Sequence, residues 1–183
     1  AENMEAKIIE LGGKPAFPTN LSINEITAHY TPSYNDETLA TGLLKIDFGV
    51  HVNGWVADTA FSVDLENSEE NKKLIQTAEL ALKNALEKFN KGVSLNEIGK
   101  TIQQTIEKND LQPIINLSGH SMEEYDLHAG ITVPNIATST TQEISSGLYA
   151  IEPFATTKNA SGKVKDSAPS GIYMLINTKN IRN

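Results

Sequence analysis

Asp47 and Asp58 stand on either side of an Asn53-Gly54 pair in the stretch LLKIDFGVHVNGWVADTAFSV, and two carboxylates converging from rigid strands make a site for a hard cation. The Asn-Gly pair between alternating apolar residues signals a two-residue hairpin, because both central turn positions need positive φ. With those residues as the turn, Val52 pairs with Trp55, His51 with Val56, Gly49 with Asp58, and Asp47 with Ala60. Paired residues share a face and the pleat alternates with period two. One face is then Leu44, Ile46, Phe48, Val50, Ala57, Thr59, Phe61 and Val63, which should pack on a core. The other carries Lys45, Asp47, Gly49, His51, Val56, Asp58, Ala60 and Ser62, with the aspartates as a diagonal pair whose Cα atoms lie roughly 5.5–8 Å apart. Gly49, opposite Asp58, should leave room for an ion or substrate. Two carboxylates this close repel unless a cation or shared proton compensates. His51, beside the turn, and Lys45 are expected to be solvated.

Four histidines are present, at 29, 51, 120 and 128. His120 follows Gly119, which permits a close backbone approach, and His128 lies an even number of residues on, with a turn suggested at Glu123-Glu124. Glu152 sits in the apolar run LYAIEPFA, where an unpaired charge is costly and wants a partner. The one arginine, Arg182, is in the polar tail, so a metal is the better candidate. Asp47, Asp58, His120 and Glu152 form an oxygen-rich set with one imidazole, which suits Mn, Fe, Co or Zn, and a carboxylate-bridged pair of such ions can drive hydrolysis. No Gly-X-Ser-X-Gly, phosphate-cradling loop or dinucleotide fingerprint competes with it.

The net charge of −8 and pI near 5.0 argue against a nucleic-acid or anionic-membrane surface. The absence of cysteine excludes disulfides, thiolate nucleophiles and cysteine-ligated zinc. No apolar run is long enough to span a membrane and no signal-peptide pattern opens the chain, so a cytoplasmic protein is expected.

The elements that must position these residues alternate in blocks. A helix opens the chain and stops at Gly12-Gly13. Short strands occupy residues 22–50, and the hairpin follows. Asn67 or Ser68 caps a helix with the apolar stripe Leu74, Ala78, Ala81, Leu82, Ala85, Leu86 and Phe89. Ser94 with Glu97 forms a capping box for a second helix carried by Ile98, Ile102 and Ile106. Short strands and loops run from Pro113, ending in a strand-like run at 171–176. Strands and helices in separate runs indicate an α+β fold with a mainly antiparallel sheet.

Four ordered motifs carry a resemblance: TAHYTP at 27–32, KIDFGVHVNGWVADTAFSV, NLSGHSMEEYDLHAG at 116–130, and AIEPFATT at 150–157. Together with ELGGKPAFP near the start, they resemble the type II methionine aminopeptidases in their archaeal form, along essentially the whole chain. The resemblance implies a single metallopeptidase domain over 1–183 with the pita-bread fold, a curved antiparallel sheet backed by helices around a dinuclear metal site. It implies Asp47 as a ligand of one ion, Asp58 as a bridge, and His120 and Glu152 as ligands of the other. His128 would contact the substrate amide, His29 resembles the histidine attacked by fumagillin-type inhibitors, and Phe17, Leu127 and Phe154 resemble the wall of a methionine pocket. The implied activity is removal of the initiator methionine from nascent chains whose next residue is small, using two divalent ions (Co, Mn, Fe or Zn). The family's bridging glutamate on a late strand has no match here, and neither does a helix before Ala1. The chain therefore reads as a fragment, with weak metal binding and little turnover until a longer chain or separate polypeptide supplies that glutamate. The alternatives are an inactive pita-bread binding module and a proline-specific aminopeptidase or prolidase.

Overall fold

The computed structural model describes residues 1–168 together with Ile172, Tyr173 and Leu175. Gly171, Met174 and Ile176 of the strand-like run at 171–176, and all of the tail after it, lie outside the described residues. Helix α1 (Glu2–Glu10) leads into β1 (Lys14–Pro15) and β2 (Asn20–Ile23), and a long irregular loop then connects to the hairpin β3 (Leu43–Val52) and β4 (Trp55–Asp64). Helices α2 (Glu69–Lys88) and α3 (Leu95–Lys108) follow, then β5 (Leu111–Pro113), β6 (Ser118–Met122), β7 (Thr132–Pro134), β8 (Leu148–Ala150) and β9 (Ala155–Thr157). Among the described residues every strand pair is antiparallel: β3 pairs with β1, β2 and β4, β6 pairs with β7 and β8, and β5 pairs with β9.

The hairpin register is the one the Asn-Gly turn dictates. Val52 faces Trp55, His51 faces Val56, Gly49 faces Asp58 and Asp47 faces Ala60. Asn53 at φ 50° and Gly54 at φ 88° supply the two left-handed turn residues. The apolar face is less covered than its composition predicts. Val50 meets the segment after α1 at Gly13, but Ala57, Thr59 and Phe61 on β4 stay exposed, because no described element lies across them.

The core instead gathers around α3. Ile98, Ile102 and Ile106 are fully buried at helical spacing, packed with Ala81 and Ala85 of α2, Leu111, Val133 and Ile144. The expected stripe on α2 is narrower than its sequence, with Thr77, Ala81 and Ala85 buried and Leu86 exposed, because α3 approaches close to the small residues. Ser68 caps α2 through the Asn71 amide. Ser94 caps α3, but through Asn96 rather than a reciprocal capping box, and the Glu97 carboxylate turns to Lys88 instead. This helical layer anchors β6, the strand that carries His120: α3 touches β5 and β7, and β7 pairs with β6.

Candidate metal centre

Three strands bring the acidic and imidazole groups to one point. Asp58 projects from β4, His120 from β6, and Glu152 from the chain two residues beyond β8. The pairing His120↔Ala150 sets the last two side by side, and it needs Gly119, where a Cβ would lie 2.1 Å from the Ala150 carbonyl oxygen. Asp58, His120 and Glu152 each offer one ligand atom, and these atoms all lie within 4.8 Å of one another. His120 Nε2 is 3.4 Å from Asp58 Oδ2 and 3.1 Å from Glu152 Oε1. Glu152 Oε1 is nonetheless a buried acceptor without a well-formed hydrogen bond. A buried carboxylate oxygen turned toward an imidazole and a second carboxylate is the donor set a divalent cation fits.

Asp47 stands outside this trio but feels it. Burial, and then the charges of Asp58 and Glu152, raise its pKa to about 7. Burial also disfavours a charged His120, yet the Asp58 and Glu152 carboxylates close to its ring outweigh this and raise its pKa to about 10. The His128 ring packs edge-on at 4.4 Å from that of His120, and burial followed by the His120 charge lowers its pKa. The turn foreseen at Glu123-Glu124 is present, closed by a bridge between Glu123 and Asp126, and it returns His128 to the site. His29 is exposed at φ 62°, close enough for its charge to act on His128.

The full chain aligns with a family of known proteins. The family model described as Metallopeptidase family M24 matches residues 1–179. The chain belongs to this family. It is 48% identical over 185 residues to the methionine aminopeptidase of Methanocaldococcus jannaschii, an alignment covering 100% of this chain and 62% of that protein. The chain thus spans somewhat under two thirds of the length of the curated relatives it matches. Among solved structures it is similar to the methionine aminopeptidase of Rickettsia prowazekii, with TM-score 0.75, 26% identity, and coverage of 84% of this chain and 66% of that one. The prolidase of Pyrococcus horikoshii shares the fold at TM-score 0.69 and 22% identity, covering 84% of this chain and 44% of that one. The pita-bread architecture expected from the motifs is therefore borne out, and the prolidase alternative is the more distant relative.

Several local expectations change within this M24 scaffold. Gly49 leaves no room for an ion, since Phe17 and Ala16 fill the space where its Cβ would be, which places Phe17 against the polar face of the hairpin opposite Asp58. His51 is half-buried rather than solvated: its Nδ1 accepts from the Gly54 amide, and Tyr125 stacks edge-on against its ring. Lys45 is also half-buried, donating to the Asn24 carbonyl, and burial lowers its pKa to about 8. Leu127 and Phe154 are half-buried. Asn20 went unnoticed in the sequence. It sits opposite Asp47 in the β2–β3 register, 3% exposed, with its Oδ1 unpartnered. Only the register of a strand too short to read from periodicity reveals it.

The raised pKa values set a pH dependence. His120 rises from 6.5 to about 10, so the stability its proton contributes is complete below pH 6.5 and lost as pH rises through 10. Asp47 rises from 3.8 to about 7, so ionising it on the way to neutral pH also weakens the fold. The metal-free protein should melt at progressively lower temperature between about pH 4 and pH 10 when scanned in chelator. A cation must displace the His120 proton, so its affinity should climb with pH over the upper part of this range and its uptake should release protons, read by calorimetry in two buffers of different ionisation enthalpy. A pH-independent affinity would contradict the assigned site.

Proposed function

We propose that these residues form the metal-holding body of a cytoplasmic methionine aminopeptidase, which removes the initiator methionine from nascent proteins when the next residue is small. The observation that carries this reading is the convergence of Asp58, His120 and Glu152 in a chain 48% identical, over its whole length, to a methionine aminopeptidase. Asp47 and Asp58 would hold one divalent ion, and Asp58, His120 and Glu152 a second, drawn from Co, Mn, Fe or Zn. Bound there, the ions would polarise the scissile carbonyl and make a water nucleophilic at neutral pH. His128, its pKa lowered, stays neutral at pH 7 and can donate one ring N–H to the substrate amide or to the oxygen where charge develops. Phe17, Leu127 and Phe154 would enclose the methionine side chain, and His29 would flank the reacting end.

A further bridging glutamate is proposed to come from a segment beyond these residues, in a longer chain or a separate polypeptide. The reading is tested by offering Met-Ala-Ser and an Xaa-Pro peptide to the full natural chain with Mn or Co. Release of methionine from the first, with the second left intact, is expected. Cleavage of the Xaa-Pro peptide alone, or of neither, would overturn the assignment. Residues 1–183 alone should bind the same ions more weakly than the full chain does.

A further inference from the structure

His29 is held in a backbone conformation that a non-glycine residue adopts at a cost, φ 62°, and such strain persists where the surroundings fix it. The two residues that follow it are tied down. The Leu21 amide donates to the Tyr30 carbonyl at 2.7 Å, and Thr31 Oγ1 donates to the Thr19 carbonyl at 3.2 Å. These two bonds fasten the segment to the start of β2, next to Asn20, which faces Asp47.

A third bond comes from further along the loop. The Tyr30 hydroxyl donates to Asp36 Oδ2 at 2.5 Å, while Asp36 Oδ1 accepts from the Thr38 amide at 2.9 Å. Bonds from Thr38 and then Tyr30 hold Asp36 below the usual carboxylate range, and Asp36 holds the Tyr30 phenol above its own, so the contact is a phenol donating to an anion across the neutral range. In the loop's outer part the Asp36 amide also donates to the Ser33 carbonyl at 3.0 Å, closing a turn, while Tyr34 is 97% and Leu39 84% exposed and residues 33–41 form no helix or strand.

We propose that the Tyr30–Asp36 bond is a latch that fixes the direction of His29, which makes Tyr30 a positioning residue for cleavage. The inference rests on the aminopeptidase reading above and names a residue pair that the metal ligands do not require. With the latch closed, residues 30–36 form a ring immediately after His29, so the strained backbone cannot relax by swinging the loop outward. With it open, the imidazole remains but samples other directions, and misplacement of a reacting group by about 1 Å can cost 100-fold in rate.

The experiment uses the full natural chain with Mn and the variants Tyr30→Phe, Asp36→Ala and Asp36→Asn. Two readouts are taken: hydrolysis of Met-Ala-Ser, and the rate at which a fumagillin-type epoxide labels His29, followed by mass spectrometry. Tyr30→Phe and Asp36→Ala should each lower kcat and the His29 labelling rate on the order of tenfold, with KM and the thermal midpoint nearly unchanged. Asp36→Asn keeps an oxygen for Thr38 and an amide for the Tyr30 oxygen, and should stay within about twofold of the parent. Parent-like labelling and turnover in both disruptive variants would overturn the latch, as would losses that simply track unfolding. A parent protein that neither hydrolyses the peptide nor reacts at His29 would overturn the aminopeptidase reading, and the latch with it.

Discussion

Gly119→Ala should cost the protein its metal centre. The added methyl would lie 2.1 Å from the Ala150 carbonyl oxygen and 3.1 Å from Ile151 Cα, and both neighbours are backbone that cannot rotate away. Either β8 moves back or β6 twists, and both responses break the His120↔Ala150 pairing that sets His120 beside Glu152. Overpacking at a buried backbone contact costs about 1–3 kcal/mol and sometimes more, and here it falls on the strand pair that carries two proposed ligands. The expected result is a thermal midpoint lowered by several degrees together with loss of metal uptake in calorimetry. Gly147→Ala, whose methyl would find only ordinary contact with the Tyr149 ring, is the matched control and should behave as the parent. Normal metal binding in Gly119→Ala would show that the two strands do not set the ligand geometry.

The second large effect is expected from Asp58→Asn. The change is nearly isosteric and removes one of the charges that raise Asp47, so the fold should survive and the Asp47 pKa should fall from about 7. His120 loses a bonding partner, so its pKa should fall from about 10 as well. Both movements can be followed by NMR titration in chelator. Catalysis is a different matter, because the carboxylate proposed to bridge both ions is gone. A loss of a few kcal/mol in transition-state stabilisation corresponds to at least ~100-fold in kcat/KM. Turnover of Met-Ala-Ser that survives Asp58→Asn would refute the proposed mechanism.

These two sites also show how far local sequence carries. The hairpin was legible to the residue, because Asn53-Gly54 admits one turn type and the turn dictates every pair as far as Asp47 and Asp58. The α3 core was legible because Ile98, Ile102 and Ile106 repeat at the helical period. The cluster around His120 was not legible from spacing alone. Its members come from β4, β6 and the chain beyond β8; donor chemistry and the motif likeness to the aminopeptidases grouped them in advance, but no spacing showed that they meet. The errors on the hairpin share a cause, since each concerned a neighbour remote in sequence. Phe17 fills the space at Gly49, Tyr125 covers His51, and Ala57, Thr59 and Phe61 lack the cover that their apolar face predicts. Periodicity says which way a side chain points and is silent about what arrives there.

Asp47 and Asp58 belong to one hydrogen-bonded sheet, while His120 and the strand leading to Glu152 belong to another. The Tyr125 amide, donating to the Gly54 carbonyl, also joins the two. A cation held by both groups would therefore act as a rivet across a seam. Stripped of it, two like-charged walls face each other with a single imidazole proton between them, so heat or a rise in pH should part the halves along that line before either half unravels.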